Sequence, residues 1–401
     1  MTLPARLFAA AIVAAILALG YAGLQAMGVE GRALTFALVA GIAFGVVLQR
    51  SRFCFYCNLR DLVEKRQAMG VLAILVALAV GAIGYTSIFG AWLPTPAPER
   101  LPPTAHIGPV SVVLAGASFV FGLGMAISGS CLSAHFYRLG EGSAVSPFAI
   151  IGALAGFGVG FATWNPLFNL ATSSAVVVWL PHYLGYTGSL LLTLALLAGL
   201  AVLALWYGRS GATATAPIAP QPLTLEGVAR TIFINRWSGV AGGILVGLIG
   251  TLYYFRVAPL GVTAELGSVA RTAGVALDLI PDRLYGLDVL RGCATVVKDA
   301  LLSNNGVFVM GLVGGSFVTA LIAGQFTPRM PTWTDVARGL GGGLLLGWGA
   351  MTALGCTVGV LLSGIQAGAL SGWVFLVFCA AGAIAGMPLM RGIGQPRPVT
   401  A

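Results

Sequence analysis

Ten apolar runs, each about long enough to cross a bilayer, constrain this chain more than any other feature of its sequence. They lie near 7–27, 33–49, 68–90, 110–128, 143–163, 187–207, 238–255, 306–325, 339–353 and 367–388. A hydrocarbon core about 30 Å thick takes about 20 residues of α-helix, and backbone polar groups inside it must find partners within the protein. Composition agrees. Only 8% of the 401 residues are charged, against roughly 25% in a soluble domain. That excludes a soluble enzyme, a nucleic-acid binder and a disordered regulator. The net charge of +9 then reads as basic loops on the cytoplasmic face. With the N-terminus inside, the inner loops collect about two-thirds of the Lys and Arg residues, and both termini are expected to be cytoplasmic. Arg6 followed by an apolar run resembles a signal peptide, but no A-x-A site follows, and the segment is read as a retained first span.

Between the spans lie 54–64, 131–139, 164–186, 259–300 and 356–364, all too short or too interrupted to cross. The polar stretch GRSGATATAPIAPQP (208–222) splits the chain near its middle. The expected organisation is an N-terminal transmembrane helix over 1–32 and a first transport repeat with its following helices over 33–207. A cytoplasmic linker over 208–237, a second repeat over 238–390 and a cytoplasmic tail over 391–401 complete it. The two halves look alike in one place, GLGMAISGSCLSAHFYRLGEG (122–142) against GWGAMTALGCTVGVLLSGIQAG (347–368). Gly122 and Gly124 precede Cys131 by the same intervals as Gly347 and Gly349 precede Cys356, and Ser146 and Ser371 follow at equal distance. Counting spans places the two turns in opposite orientations. The expected fold is therefore an all-α integral membrane protein, with about ten transmembrane helices in two inverted pseudo-symmetric repeats and short re-entrant helices. Such repeats place a substrate site near the midplane.

Helices beginning just past Cys131 and Cys356 would aim free N–H groups and positive dipole ends at the midplane, which suits an anion. No acidic residue lies deep in any apolar run, which argues against a carboxylate-lined cation path. Sulfate and phosphate offer only hard oxygens, well served by hydroxyls, amides and arginine. A thiol is a weak donor with a soft sulfur and suits a substrate that exposes sulfur itself. Thiosulfate, with one terminal sulfur and three oxygens, fits. An apolar setting favours the neutral thiol, which does not repel a dianion, while a helix N-terminus acts in the opposite sense. Cys54 and Cys57 (FCFYC) have redox-pair spacing, so a membrane thiol–disulfide oxidoreductase is a competing reading. An exporter or channel for sulfur or selenium compounds is a third. Cys379, inside an apolar run, reads as a small buried hydrophobe. Arg138 and Glu141 (YRLGEG) are either an i, i+3 surface pair or a cytoplasmic gate. The six cysteines and three histidines do not cluster as metal ligands, and neither a metal nor a cofactor is expected.

At these residues the sequence resembles the YeeE/YedE family of bacterial thiosulfate transporters, the sulphur-transport domain family. The marks are LQRSRFCF (48–55), FGLGMAISGSC (121–131), YRLGEG (137–142), PLGVTAELG (259–267), RGCAT (291–295) and GWGAMTALGCTVG (347–359). The resemblance implies a narrow pathway through the bacterial inner membrane, with cysteines that contact thiosulfate through S–H···S hydrogen bonds. It assigns these contacts to Cys131, Cys356 and, by order and spacing, Cys293. Cys54, in the family's R-x-R-F-C segment, joins them as a candidate substrate contact, and Cys57 looks like an addition. Importing a dianion against an inside-negative potential costs about 2.3 kcal/mol per charge per 100 mV. Proton coupling or rapid consumption by a cytoplasmic, rhodanese-like sulfurtransferase is the expected compensation.

Overall fold

Each of the ten apolar runs forms a helix in the computed structural model. It describes residues 3–97, 100–208, 224–281, 283–287, 295–298, 300 and 302–391. Cys293, linker residues 209–223 and the expected tail beyond Arg391 lie outside the described residues. The long helices are α1 Leu3–Ala26, α2 Gly31–Ser51, α4 Met69–Trp92, α5 Val112–Ser128, α7 Ser146–Leu167, α8 Leu180–Gly208, α10 Gly239–Arg256, α12 Asn304–Ile322, α13 Trp333–Thr352 and α15 Leu370–Arg391. Shorter ones fall where the apolar pattern breaks: α3 Phe55–Lys65, α6 Leu132–Gly140, α9 Leu225–Phe233, α11 Val262–Ala276 and α14 Thr357–Gln366. Among the described residues nine helical stretches are long and apolar enough to cross a membrane, and α13 with α14, bent by 43°, makes a tenth. The chain is a multi-pass, all-α membrane protein. Among the described residues the one β ladder, Pro109–Val110 against Val176–Val177, is two residues long.

Helix starts follow local chemistry. Ser111, Ser238 and Ser303 accept the N–H three residues on, at 3.1, 3.2 and 3.0 Å, and cap α5, α10 and α12. Two starts differ from the apolar pattern. Helix α13 begins at Trp333 rather than near 339, because Thr332 and Asp335 form a capping box and Arg329 forks onto the Asp335 carboxylate at 2.6 and 2.8 Å. Helix α8 begins at Leu180 rather than near 187 and breaks at Gly185, whose φ of 67° only glycine adopts freely.

One order of elements occurs twice: span, short helix, span, span, short helix, span, over α2–α7 and again over α10–α15. Packing partners exchange accordingly. Helix α2 lies on α12 as α10 lies on α4, α7 lies on α13 as α15 lies on α5, and α5 crosses α13 between them. Helices α1 and α8 sit outside this frame, on α12 and α4. They expose large apolar side chains such as Phe8, Leu19 and Trp206, as a lipid-facing surface does. The seams are closed by small residues, the usual device where lipid leaves no hydrophobic drive for helix association. A Cβ on Gly347 would lie 2.0 Å from the Ala153 carbonyl oxygen, and one on Gly156 would lie 2.1 Å from that of Leu344. At the equivalent seam a Cβ on Gly122 would lie 2.2 Å from the Cys379 oxygen, and one on Gly382 would lie 2.0 Å from that of Phe119.

The glycines matched in the sequence thus do matched work. Gly122 and Gly347 close the lateral seams, while Gly124 and Gly349 each face a backbone oxygen at the α5–α13 crossing, where a Cβ would approach to 2.8 Å. Helix α13 carries its own control, since a Cβ on Gly341 would meet nothing within 4 Å. Gly347→Val is expected to cost more than the roughly 1–3 kcal/mol typical of overpacking, because the obstacle is backbone. It should abolish the monodisperse peak in detergent size exclusion. Gly341→Val should leave that peak intact.

Candidate functional site

Cys54, Cys131 and Cys356 each occupy the residue just before a short helix: α3, α6 and α14 respectively. The preceding span is stopped each time by left-handed backbone, at Arg52 (φ 50°), at Gly129 (φ 85°), and at Leu354 and Gly355 (φ 61° and 150°). Glycine takes such angles freely, whereas a leucine there is strained by about 1 kcal/mol or more. These turns bring the sulfurs inward. Cys54 Sγ lies 3.8 Å from Cys131 Sγ, and both residues are buried. The hydroxyls of Ser130 and Ser133, on either side of Cys131, are buried with no protein partner. One cavity is lined by Cys131 and Ser133 together with Thr357 and Val358, the two residues that follow Cys356. The Cys356 thiol itself accepts the Val358 N–H at 3.4 Å.

The sequence offers Cys54 both as a substrate contact and as half of a redox pair, but does not show that it heads a third short helix beside Cys131. The available signal was the interrupted segment 54–64 that begins at that residue. Cys57 sits at the edge of the cluster, where Arg138 Nη2 donates to its sulfur at 3.2 Å. Glu141 faces a different network. It accepts from Gln49 Nε2 at 3.2 Å and pairs with Arg236 Nη1 at 3.8 Å, while Gln49 also donates to Gln325 Oε1 at 2.7 Å. Arg138 and Glu141 therefore divide their hydrogen bonds between the thiol cluster and the connection leading into α10. Cys379 is buried in the α5–α15 seam. Cys293 falls outside the described residues. Two positions on, Thr295 lines a small cavity with Gly355, the residue before Cys356.

Residues 234–237, the end of the expected linker, fold under the end of α2. Arg50, fully buried, donates to the carbonyls of Ile234 and Asn235, and the Trp237 N–H donates back to the Arg50 carbonyl at 3.0 Å. Burial, with Arg52 nearby, brings the Arg236 guanidinium down to about 10, against the opposing pull of Glu141; it stays charged at neutral pH. Arg236→Ala would leave the buried Glu141 carboxylate without its cation, at a cost of about 1–3 kcal/mol, read as a lower melting temperature in detergent. Adding Glu141→Gln should recover part of the loss, because no unpaired charge is then left buried.

The sequence matches the family model described as sulphur transport over residues 50–385, a range that takes in all of these turns. It is 30% identical over 353 residues to the thiosulfate transporter TsuA of Spirochaeta thermophila, covering 85% of this chain and 94% of that one. Against the thiosulfate transporter TsuA of Escherichia coli K12 it is 28% identical over 361 residues, covering 86% and 91%. The probable transporter YedE of Salmonella typhimurium is 29% identical over 163 residues, 38% of each chain. These relatives are transporters, not enzymes, which disfavours the oxidoreductase reading of Cys54 and Cys57. With the family model spanning most of its length and its short helices set among membrane spans, the chain belongs to the sulphur-transport (YeeE/YedE) family.

Proposed function

We propose that this protein takes up thiosulfate, or a closely related sulfur-containing anion, across the bacterial inner membrane along a path lined by the neutral thiols of Cys54, Cys131 and Cys356. The observation that carries the reading is the cluster at the head of α6. Two buried sulfurs lie 3.8 Å apart, with two unpartnered hydroxyls alongside. A substrate with one sulfur and three oxygens uses both kinds of donor: S–H to sulfur and O–H to oxygen. Helices α3 and α6 both begin there, and their positive ends, together with the Arg138 guanidinium at the edge of the cluster, offset a dianion's charge. Cys293 is kept in the proposal, since Thr295 shares a cavity with Gly355. The names of the relatives support the substrate, and the shared cavity of Cys131 with Thr357 and Val358 supports a hand-over between the two turns.

The recurring element order and the exchanged packing partners support reading the halves as inverted repeats about a central site. In this reading both termini face the cytoplasm. Arg138 and Glu141 stand at the inner mouth as a gate, and a cytoplasmic rhodanese-type sulfurtransferase consumes what arrives.

Uptake of sulfur-labelled thiosulfate by cells lacking other sulfur importers tests this. Cys131→Ser, Cys54→Ser and Cys356→Ser are each expected to lower uptake at least about tenfold, the worth of a hydrogen bond and its lost selectivity at a dry site. Cys379→Ser should transport as wild type does, and labelled sulfate should not accumulate in any strain. Uptake unaffected by all three of the first substitutions would reduce those thiols to packing residues. Cys57→Ser separates the competing reading: an oxidoreductase needs its resolving thiol, whereas the transporter should keep working.

A further inference from the structure

Hydroxyls on the membrane helices of this protein have a settled habit. Ser51, Ser118, Ser128, Thr163 and Thr251, among others, donate to the carbonyl one turn back at 2.6–2.9 Å, which satisfies them inside the helix. Among the described residues five buried Ser and Thr hydroxyls break this habit and meet no protein partner: Ser130, Ser133, Thr172, Thr295 and Thr352. Ser130 and Ser133 flank Cys131. Thr295 lines the small cavity beside Gly355. Thr172 and Thr352 share a separate chamber, and the thiol site has no use for it.

That chamber is lined by both threonines with His106, Ser111, Leu354 and Ser371, and α14 contributes Val360 to its wall. The thiol cavity instead takes Thr357, Val358, Leu361 and Leu362 from α14. Among the described residues no cysteine and no carboxylate line the chamber. Thr352 is 3% exposed and Thr172 is 6% exposed, so each holds a polar hydrogen in a nearly dry space, a costly arrangement unless something accepts it. Helices α5 and α15 both begin at this chamber, contributing Ser111 and Ser371. The carboxyl end of α13 also lies here, but its last carbonyls are taken up by its own turn: those of Gly349, Ala350 and Met351 accept from Ala353, Gly355 and Leu354. A second carboxyl end lies here too, since the helical turn Phe168–Thr172 that continues α7 ends on Thr172, so the two unpartnered hydroxyls, and not a net helix dipole, mark the chamber.

We propose that this chamber is a second anion site, which holds a sulfate-like oxyanion by its oxygens through the hydroxyls of Thr172 and Thr352. Having only hard donors, it takes sulfate and the sulfonate end of thiosulfate alike and leaves discrimination to the sulfurs beyond the Cys356 turn. Leu354 stands between the two stages, since it lines both this chamber and the cavity beside Gly355. The chamber's service as a vestibule rests on the transport reading above. Its affinity for sulfate does not.

The test is binding of sulfur-labelled sulfate to the purified full-length protein in detergent, read by scintillation proximity. Wild type, Cys131→Ser and Thr352→Ser, which keeps the hydroxyl, should all bind. Thr172→Val and Thr352→Val should each weaken binding about fivefold at unchanged melting temperature, the usual worth of one hydrogen bond. Should a valine variant not survive extraction, alanine at the same position reads the same hydroxyl. Absence of sulfate binding by wild type overturns the proposal. So does valine binding equal to wild type, or loss that tracks Cys131→Ser instead of the threonines. The readout involves neither thiosulfate nor transport, so failure of the uptake experiment would leave this result standing, and the reverse holds too.

Discussion

Everything distinctive in this protein depends on one requirement: a helix broken at membrane depth must find partners for the backbone groups it frees. The break after α5 meets it with the Gly129 N–H on the Met125 carbonyl at 2.9 Å and the His135 N–H on the Cys131 carbonyl at 3.1 Å. The break after α13 uses the Gly355 N–H on Ala350 at 2.7 Å and the Val360 N–H on Cys356 at 2.8 Å, and the Cys356 thiol accepts a further N–H. The turns are thus nearly self-sufficient in backbone bonding. Of the buried hydroxyls left without a protein partner, those of Ser133, Thr172, Thr295 and Thr352 line cavities.

Such turns persist only where the surrounding frame holds them rigidly, and the frame is made of close-approaching backbones. Glycine seams join α7 to α13 and α5 to α15 at distances no Cβ would tolerate. Large rings then fill what small residues leave: Phe121 against Phe375 at 5.7 Å between centroids, and Tyr85 stacked on Tyr254 at 4.5 Å. An interior packed in this way has narrow cavities. In the proposed reading a hydrated dianion does not fit them, so a passing ion must exchange water for thiol, hydroxyl and helix-end contacts one stage at a time. Selectivity then resides in the order and softness of those contacts.

Much of this was legible in the sequence, for identifiable reasons. Span positions follow from apolar runs, because hydrocarbon thickness fixes their length. The paired turns at Cys131 and Cys356 were visible because their glycines serve equivalent seams and therefore keep equal spacing. Polar signals were harder to read. The capping box at Thr332 and Asp335 lengthens α13 beyond its apolar run, and the clamp of Arg50 on residues 234–235 uses carbonyls that no side-chain pattern advertises. Arg138 and Glu141 sit one helical turn apart and suggest a pair, yet tertiary neighbours from α2, α3 and the α9–α10 connection claim their hydrogen bonds. The proximity of Cys54 to Cys131 spans 77 residues and depends on how α3 and α6 meet, which no local spacing encodes.

The two halves share a frame but not a chemistry. Cys54 precedes α3, and the residue at the equivalent place before α11 is Gly261, which has no side chain to offer. Ser133, two residues past Cys131, has Val358 as its counterpart past Cys356. The first-half turn thus gathers two sulfurs and two hydroxyls, while the second-half turn has one sulfur and a single adjoining hydroxyl residue, Thr357, which lines the cavity shared with Cys131. A symmetric frame with identical chemistry at both turns would give an ion two equal resting places and no reason to leave either. In the proposed reading the donors pass from hard oxygen at Thr172 and Thr352, through Cys356, to the sulfur-rich cluster at Cys54 and Cys131. An anion with oxygen at one end and sulfur at the other can engage each stage with a different end, and sulfate cannot. On this argument the departure from symmetry is the source of selectivity, and the repeat supplies the rigid scaffold on which it acts.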